Sequence, residues 1–143
     1  MLDYDDPEVV VQWFAERCEE ITHYLSGEGV EHGQIGDEPS WFVAPYVSIW
    51  AIESKSNPGH VGWWAISGDL PNDYVSASDA KNPRDATRAI ASLWKDAAQY
   101  MALGEKPPTF VIGSGENDSE LAPLLASRSE ILLGWANDSE LWE

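Results

Sequence analysis

Two apolar segments in the middle of the chain limit its fold more than any other feature. The first reads Trp41-Phe42-Val43-Ala44-Pro45-Tyr46-Val47-Ser48-Ile49-Trp50-Ala51-Ile52, and the second Val61-Gly62-Trp63-Trp64-Ala65-Ile66-Ser67. Both are too apolar at consecutive positions to be strands with one face in water, because successive strand side chains point to opposite faces. They predict a sheet buried on both sides. Between them Lys55-Ser56-Asn57-Pro58-Gly59 is turn chemistry, so the segments should pair as a hairpin. Pro45 has no N–H to give a ladder, which predicts a bulge or an unpaired edge at that point. Gly68 to Asn72 turns the chain again, and Asp73 to Ser78 adds a short third strand.

Helices flank this region. Asp6 is an N-cap and Pro7 a first helical residue. Val10, Phe14, Cys18, Ile21 and Leu25 then form one stripe of a helix from Pro7 to Leu25, which Gly27 and Gly29 end. Residues 26–40 hold four glycines and a proline and read as a loop. A second helix opens at Asn82-Pro83 with Asp85 three residues after the cap, and buries Ala86, Ile90, Leu93, Trp94, Ala97 and Met101. Gly104 and Pro107-Pro108 stop it, and Thr109 to Ile112 is a candidate fourth strand. A third helix starts at Asp118 or Ser119, with Leu121, Leu124, Leu125, Arg128, Leu132 and Trp135 as its stripe and Pro123 in or before its first turn. Together these elements predict an α+β domain: an N-terminal helix, a three- to four-stranded antiparallel meander, and two C-terminal helices packed on the sheet. The 143 residues suit a single domain, with residues 137–143 an acidic tail docked through Leu141 and Trp142.

The formal net charge is −17, and its placement is uneven. Residues 1–40 carry 11 acidic side chains and one basic one, and residues 114–143 carry 7 and one. Nucleic acid and anionic membrane surfaces are poor partners for such a chain, since no Lys/Arg cluster replaces phosphate counterions. A basic protein partner would be steered in. Glu16, Glu19, Glu20, Glu28, Glu31, Asp37 and Glu38 are the candidate interaction surface. The competing reading is that the acidity serves only solubility. The one cysteine, Cys18, forms no intrachain disulfide, and the first residues lack a basic, apolar leader, which together predict a cytoplasmic protein. The 12 uncharged residues Trp41 to Ile52 fall short of a membrane span.

Two sets of residues bear on chemistry. Trp41, Tyr46, Trp50, Trp64 and Tyr74 are candidates for an aromatic ligand pocket, against plain core packing. Trp63 and Trp64 are adjacent, so at most one of them shares a wall with Trp50. His32, set beside Glu31 on the glycine-rich loop, is a candidate general base, and Asp69 with Asp73 a candidate carboxylate pair. The alternative for the two aspartates is capping of their own backbone, as Asp often does in turns. They lack the spacing of a calcium loop, and His23, His32 and His60 match no zinc spacing, so no metal or cofactor is expected. Cys18 lies on the apolar stripe in acidic surroundings, which suits a small buried hydrophobe and not a nucleophile.

Several strings carry a resemblance. Val30-Glu31-His32-Gly33-Gln34-Ile35-Gly36, Ala44-Pro45-Tyr46-Val47-Ser48-Ile49-Trp50-Ala51-Ile52-Glu53-Ser54, Gly62-Trp63-Trp64 through Asp73-Tyr74, and Leu121-Ala122-Pro123-Leu124-Leu125 with Trp135 resemble a family of short, acidic bacterial proteins known as a domain of unknown function. The resemblance implies a bacterial, single-domain, cytoplasmic protein and assigns no catalytic residue. From the residues themselves, three functions remain open: an acidic protein-interaction module (inhibitor, immunity-type protein or adaptor), a small-molecule binding domain, and a small enzyme using His32, Asp69 and Asp73.

Overall fold

A computed structural model describes residues 3–103 and 118–142. The chain is α+β and divides into two compact units, Met1–Ala86 and Thr87–Glu143. The candidate strand at Thr109 to Ile112 lies outside the described residues.

In the first unit, helix α1 (Pro7–Gly27) begins as its cap residue predicts. Asp6 is extended and its carboxylate accepts the Glu8 N–H, with Pro7 next in the chain. The helix ends where Gly29 takes a positive φ of 74°, a conformation glycine adopts without steric cost. Five strands follow: β1 (His32–Ile35), β2 (Trp41–Val43), β3 (Val47–Ser54), β4 (Val61–Gly68) and β5 (Leu70–Ser76). All pairings are antiparallel, and β3, β4 and β5 form the expected meander.

The strand count exceeds the expected three or four for two reasons. Trp41 to Ile52 is not one strand: the chain reverses at Ala44-Pro45-Tyr46, with a cis Ala44–Pro45 bond and the Tyr46 N–H donated to the Val43 carbonyl at 2.8 Å. Val43 then faces Val47 across a tight hairpin. Pro45 therefore marks a turn with proline at its third position, between two strands, and not a bulge or unpaired edge within one strand. The second reason is β1, a four-residue strand inside the segment expected to be all loop. Gly33 lies within it. β1 pairs the C-terminal half of β3 (Ile35 opposite Ile52), and β2 pairs the N-terminal half (Trp41 opposite Ile49), so the two lie end to end along one edge.

Both faces of the sheet are buried. Along β3, Val47, Ser48, Ile49, Trp50 and Ile52 are all fully buried. One face packs on α1: Trp50, Ile52, Ala65, Trp63 and Tyr74 join Trp13, Phe14, Ile21 and Leu25 in one core. Phe14 meets Trp50 edge-on at 6.4 Å and Phe42 edge-on at 4.8 Å, the geometry aromatic quadrupoles favour. The other face carries Val47, Ile49, Trp64, Ile66 and Val75, also buried. Gly68 closes the β4–β5 turn at φ 153°, and a Cβ there would run into the Tyr46 carbonyl oxygen.

The second unit holds most of helix α2 (Pro83–Ala102), helix α3 (Asp118–Ala136) and a short 3₁₀ helix, Ser139–Trp142. The start of α2 matches expectation: the Asp85 N–H donates to Asn82 Oδ1 at 2.8 Å, and the Asn82 amide reaches back to the Asp85 carboxylate. Ile90, Ala91, Trp94, Ala97 and Ala98 are buried along it. The stripe of α3 differs from the expected one. Ala122, Leu125, Ser129, Leu132 and Ala136 are buried, whereas Leu124 is 44% exposed. Pro123 sits in the second turn of α3, where its missing N–H disturbs only the turn before it. The Arg88 guanidinium donates to the Ala136 carbonyl at 3.2 Å, a cation at the end of α3 where the helix dipole is negative. Trp142 turns back and its indole N–H donates to the Trp135 carbonyl at 2.9 Å, while Leu141 stays 37% exposed.

Candidate interaction surface

Exposed acidic side chains recur along α1 and in the segment that follows it. Glu16 and Glu19 are exposed on the helix, and Glu28, Glu31, Asp37 and Glu38 are exposed just after it. Glu20 differs from the other six: it is only half-exposed, accepts the Ser67 hydroxyl at 2.9 Å and pairs with Arg17 at 3.2 Å. Arg17 also lies 3.9 Å from Glu16. The sole basic residue among the first 40 is thus engaged by its own helix.

Two recesses flank this acidic ridge. On one side a groove of about 850 Å³ is lined by Val11, Ala15, Cys18, Thr22 and Ser26, with Glu19, His23 and Asp37. Cys18, partly buried, approaches the Gly36 carbonyl at 3.8 Å and so pins the segment before Asp37 alongside α1. On the other side a smaller recess of about 220 Å³ is lined by Tyr4 and Trp13 together with Asp6, Glu8 and Glu16. The recurrence Val11, Ala15, Cys18, Thr22, Ser26 has a helical period and is readable in the sequence. Sequence reasoning missed it because small and polar residues do not register as an apolar stripe.

The candidate catalytic residues do not converge. His32 pairs with Ser54 at one end of β3, and its Nδ1 lies 2.7 Å from the Gly33 carbonyl. Asp69 follows Gly68, which pairs with Val47 at the other end, and its N–H donates to the Tyr46 carbonyl. Seven residue steps of strand separate these ends, roughly 23 Å at ~3.3 Å per residue. Asp73 is not in a turn at all; it lies within β5 opposite Ile66, is 4% exposed, and its carboxylate accepts the Tyr74 N–H at 2.8 Å. Among the described residues, no three His, Cys, Asp or Glu side chains gather as metal ligands, and no helix is long and apolar enough to cross a membrane.

The candidate aromatic pocket is likewise divided. Trp50 and Tyr74 face α1, where the Trp50 indole N–H donates to the Ser48 hydroxyl at 2.8 Å. Trp41 pairs with Ile49 and Trp64 with Ala51, which places both on the opposite face. The Trp64 indole N–H donates to the Ala80 carbonyl, and Tyr46 is 53% exposed in the β2–β3 turn. Trp63, not Trp64, shares a face with Trp50. Beside Trp50 on that face, Tyr74 meets Tyr24 at 6.1 Å, and the Tyr24 hydroxyl donates to Glu28. Burial, then the nearby Asp73 and Glu28 charges, push the Tyr24 hydroxyl well above the usual phenol range.

One residue overlooked in the sequence organises β1. Glu53 accepts the Gln34 N–H at 3.0 Å and the Gly59 N–H at 3.1 Å, and these two bonds hold its carboxyl below the usual range. A Cβ on Gly33 would collide with that carboxylate, so glycine there admits it.

Residues 8–142 match the family described as Domain of unknown function (DUF4826). The chain belongs to this family. The match takes in α1 and its acidic flank, the whole sheet and both C-terminal helices, so the groove is part of the shared domain and not an appendage to it. No curated protein and no solved structure matches the chain.

Proposed function

We infer that this member of the DUF4826 family is a non-catalytic acidic protein-interaction module, of the inhibitor, immunity or adaptor kind, whose partner is a basic protein. The observation that carries this reading is the run of exposed carboxylates on α1 and in the residues after it, a stretch whose only Lys or Arg, Arg17, is held by Glu20. A field of one sign over a recessed surface raises the encounter rate with a basic partner and disfavours acidic competitors. The enzyme reading loses support from the separation of His32 and Asp69 along β3. The ligand-pocket reading loses it from the division of the tryptophans over two faces. A bacterial cytoplasm is the setting we assign, in keeping with the single thiol.

The test is affinity capture from the source cell extract at low and moderate salt, followed by calorimetry on the recovered protein. A basic protein recovered in near-stoichiometric amount, with affinity falling about tenfold or more between 50 and 300 mM salt, is the expected outcome. Binding that ignores salt, or capture that yields no basic protein at either salt, overturns the reading.

A further inference from the structure

We propose that the groove beside α1 is the docking site for an amphipathic basic segment of the partner, with apolar side chains seated against Val11, Ala15 and Cys18 and cations meeting Glu19 and Asp37. The proposal rests on the reading of the protein as an acidic interaction module and names the site and the partner's chemistry. Three observations support it. The groove runs along the exposed face of α1 and is open to solvent, so an incoming segment can reach its lining side chains. Val11 is 63% exposed beside it, an aliphatic surface that gains by being covered. The carboxylates of Glu19 and Asp37 line the same groove, so an occupant must be both apolar and cationic to leave neither surface unmatched. A smaller recess along the same helix extends the footprint: Asp6, Glu8 and Glu16 line it beside the half-buried Tyr4, which suits one lysine or arginine side chain. An acidic surface meant only for solubility has no reason to distinguish an amphipathic cation from a plain one.

That distinction is the test. Two peptides of equal length and charge are titrated into the full chain, one an amphipathic leucine–lysine sequence and the other lysine–glycine. Affinity and backbone amide shifts are followed in the parent and in Ala15→Gln. Ala15 is exposed, and glutamine is a good helix former that fills the groove without changing its charge. The expected result is binding of the leucine–lysine peptide about tenfold tighter, with shifts at Val11, Ala15 and Thr22, and loss of that advantage in Ala15→Gln while lysine–glycine binding stays within about twofold. Equal affinities, or an advantage that survives Ala15→Gln, overturn the groove and leave the acidic-module reading standing. Failure of both peptides to bind at low salt overturns both.

Discussion

Glu53 joins two pieces of backbone that are far apart in sequence, the Gln34 and Gly59 amides. A carboxylate held below its ordinary range adds stability above the unfolded-state value of ~4.3 and loses it as pH falls through the lower folded value. Thermal melts from pH 3 to 7 should therefore show Glu53→Gln less stable than the parent near neutrality, with the gap closing below about pH 4. A gap independent of pH would assign the loss to packing. None of this was legible beforehand, because Glu53 sits at the end of an apolar run and its partners are backbone N–H groups, which carry no sequence signature. Asp73 was half legible: its bond to the Tyr74 N–H is the backbone capping expected of aspartate, but made inside a strand and not in a turn.

At the level of elements, the helix starts were readable because capping is local chemistry. Asp6-Pro7 and Asn82-Pro83 with Asp85 both do what their side chains dictate. The stripe of α3 was legible only in part: Leu125 and Leu132 are buried as expected, but the other buried positions are the small residues Ala122, Ser129 and Ala136, while Leu124 is exposed. The β2–β3 reversal was hidden by apolar residues on both sides of Pro45. The β4–β5 turn makes a sharper claim. Gly68 combines a positive φ with backbone contact to Tyr46, so Gly68→Ala should cost about 1–3 kcal/mol in denaturant unfolding with little change in slope. The same change at Gly59, also at positive φ but with open space around it, should cost less. Equal costs would mean that backbone conformation, and not the Tyr46 contact, governs both turns.

For the whole molecule, the α+β class followed from two doubly buried segments between capped helices, while the candidate site did not follow from aromatic residues at all. The tryptophans expected to line one pocket lie on two faces of one sheet, with Trp50 and Trp64 buried on opposite sides. The acidic residues, which specify no chemistry, mark the exposed ridge. A charge of −17 also repels itself in the folded state. Raising sodium chloride from 10 to 500 mM should lift the melting temperature by roughly 3–5 °C, about what 1 kcal/mol gives in a chain this size. A flat or falling response would show that the charges are already spread widely enough not to strain the fold.

The end-to-end placement of β1 and β2 on β3 restricts how this surface can diversify. Ile35 is fixed opposite Ile52 and Trp41 opposite Ile49, so residues 36–40 are tethered at both ends by one template strand. The same residues bring Asp37 to the groove. Adding or deleting a residue between them would strain the bridge or slip one strand, turning its side chains to the wrong face. On the proposed reading of the groove, relatives with different partners should therefore differ in the identities of residues 36–38 and along the outer side of α1, while the length of the bridge is inherited unchanged.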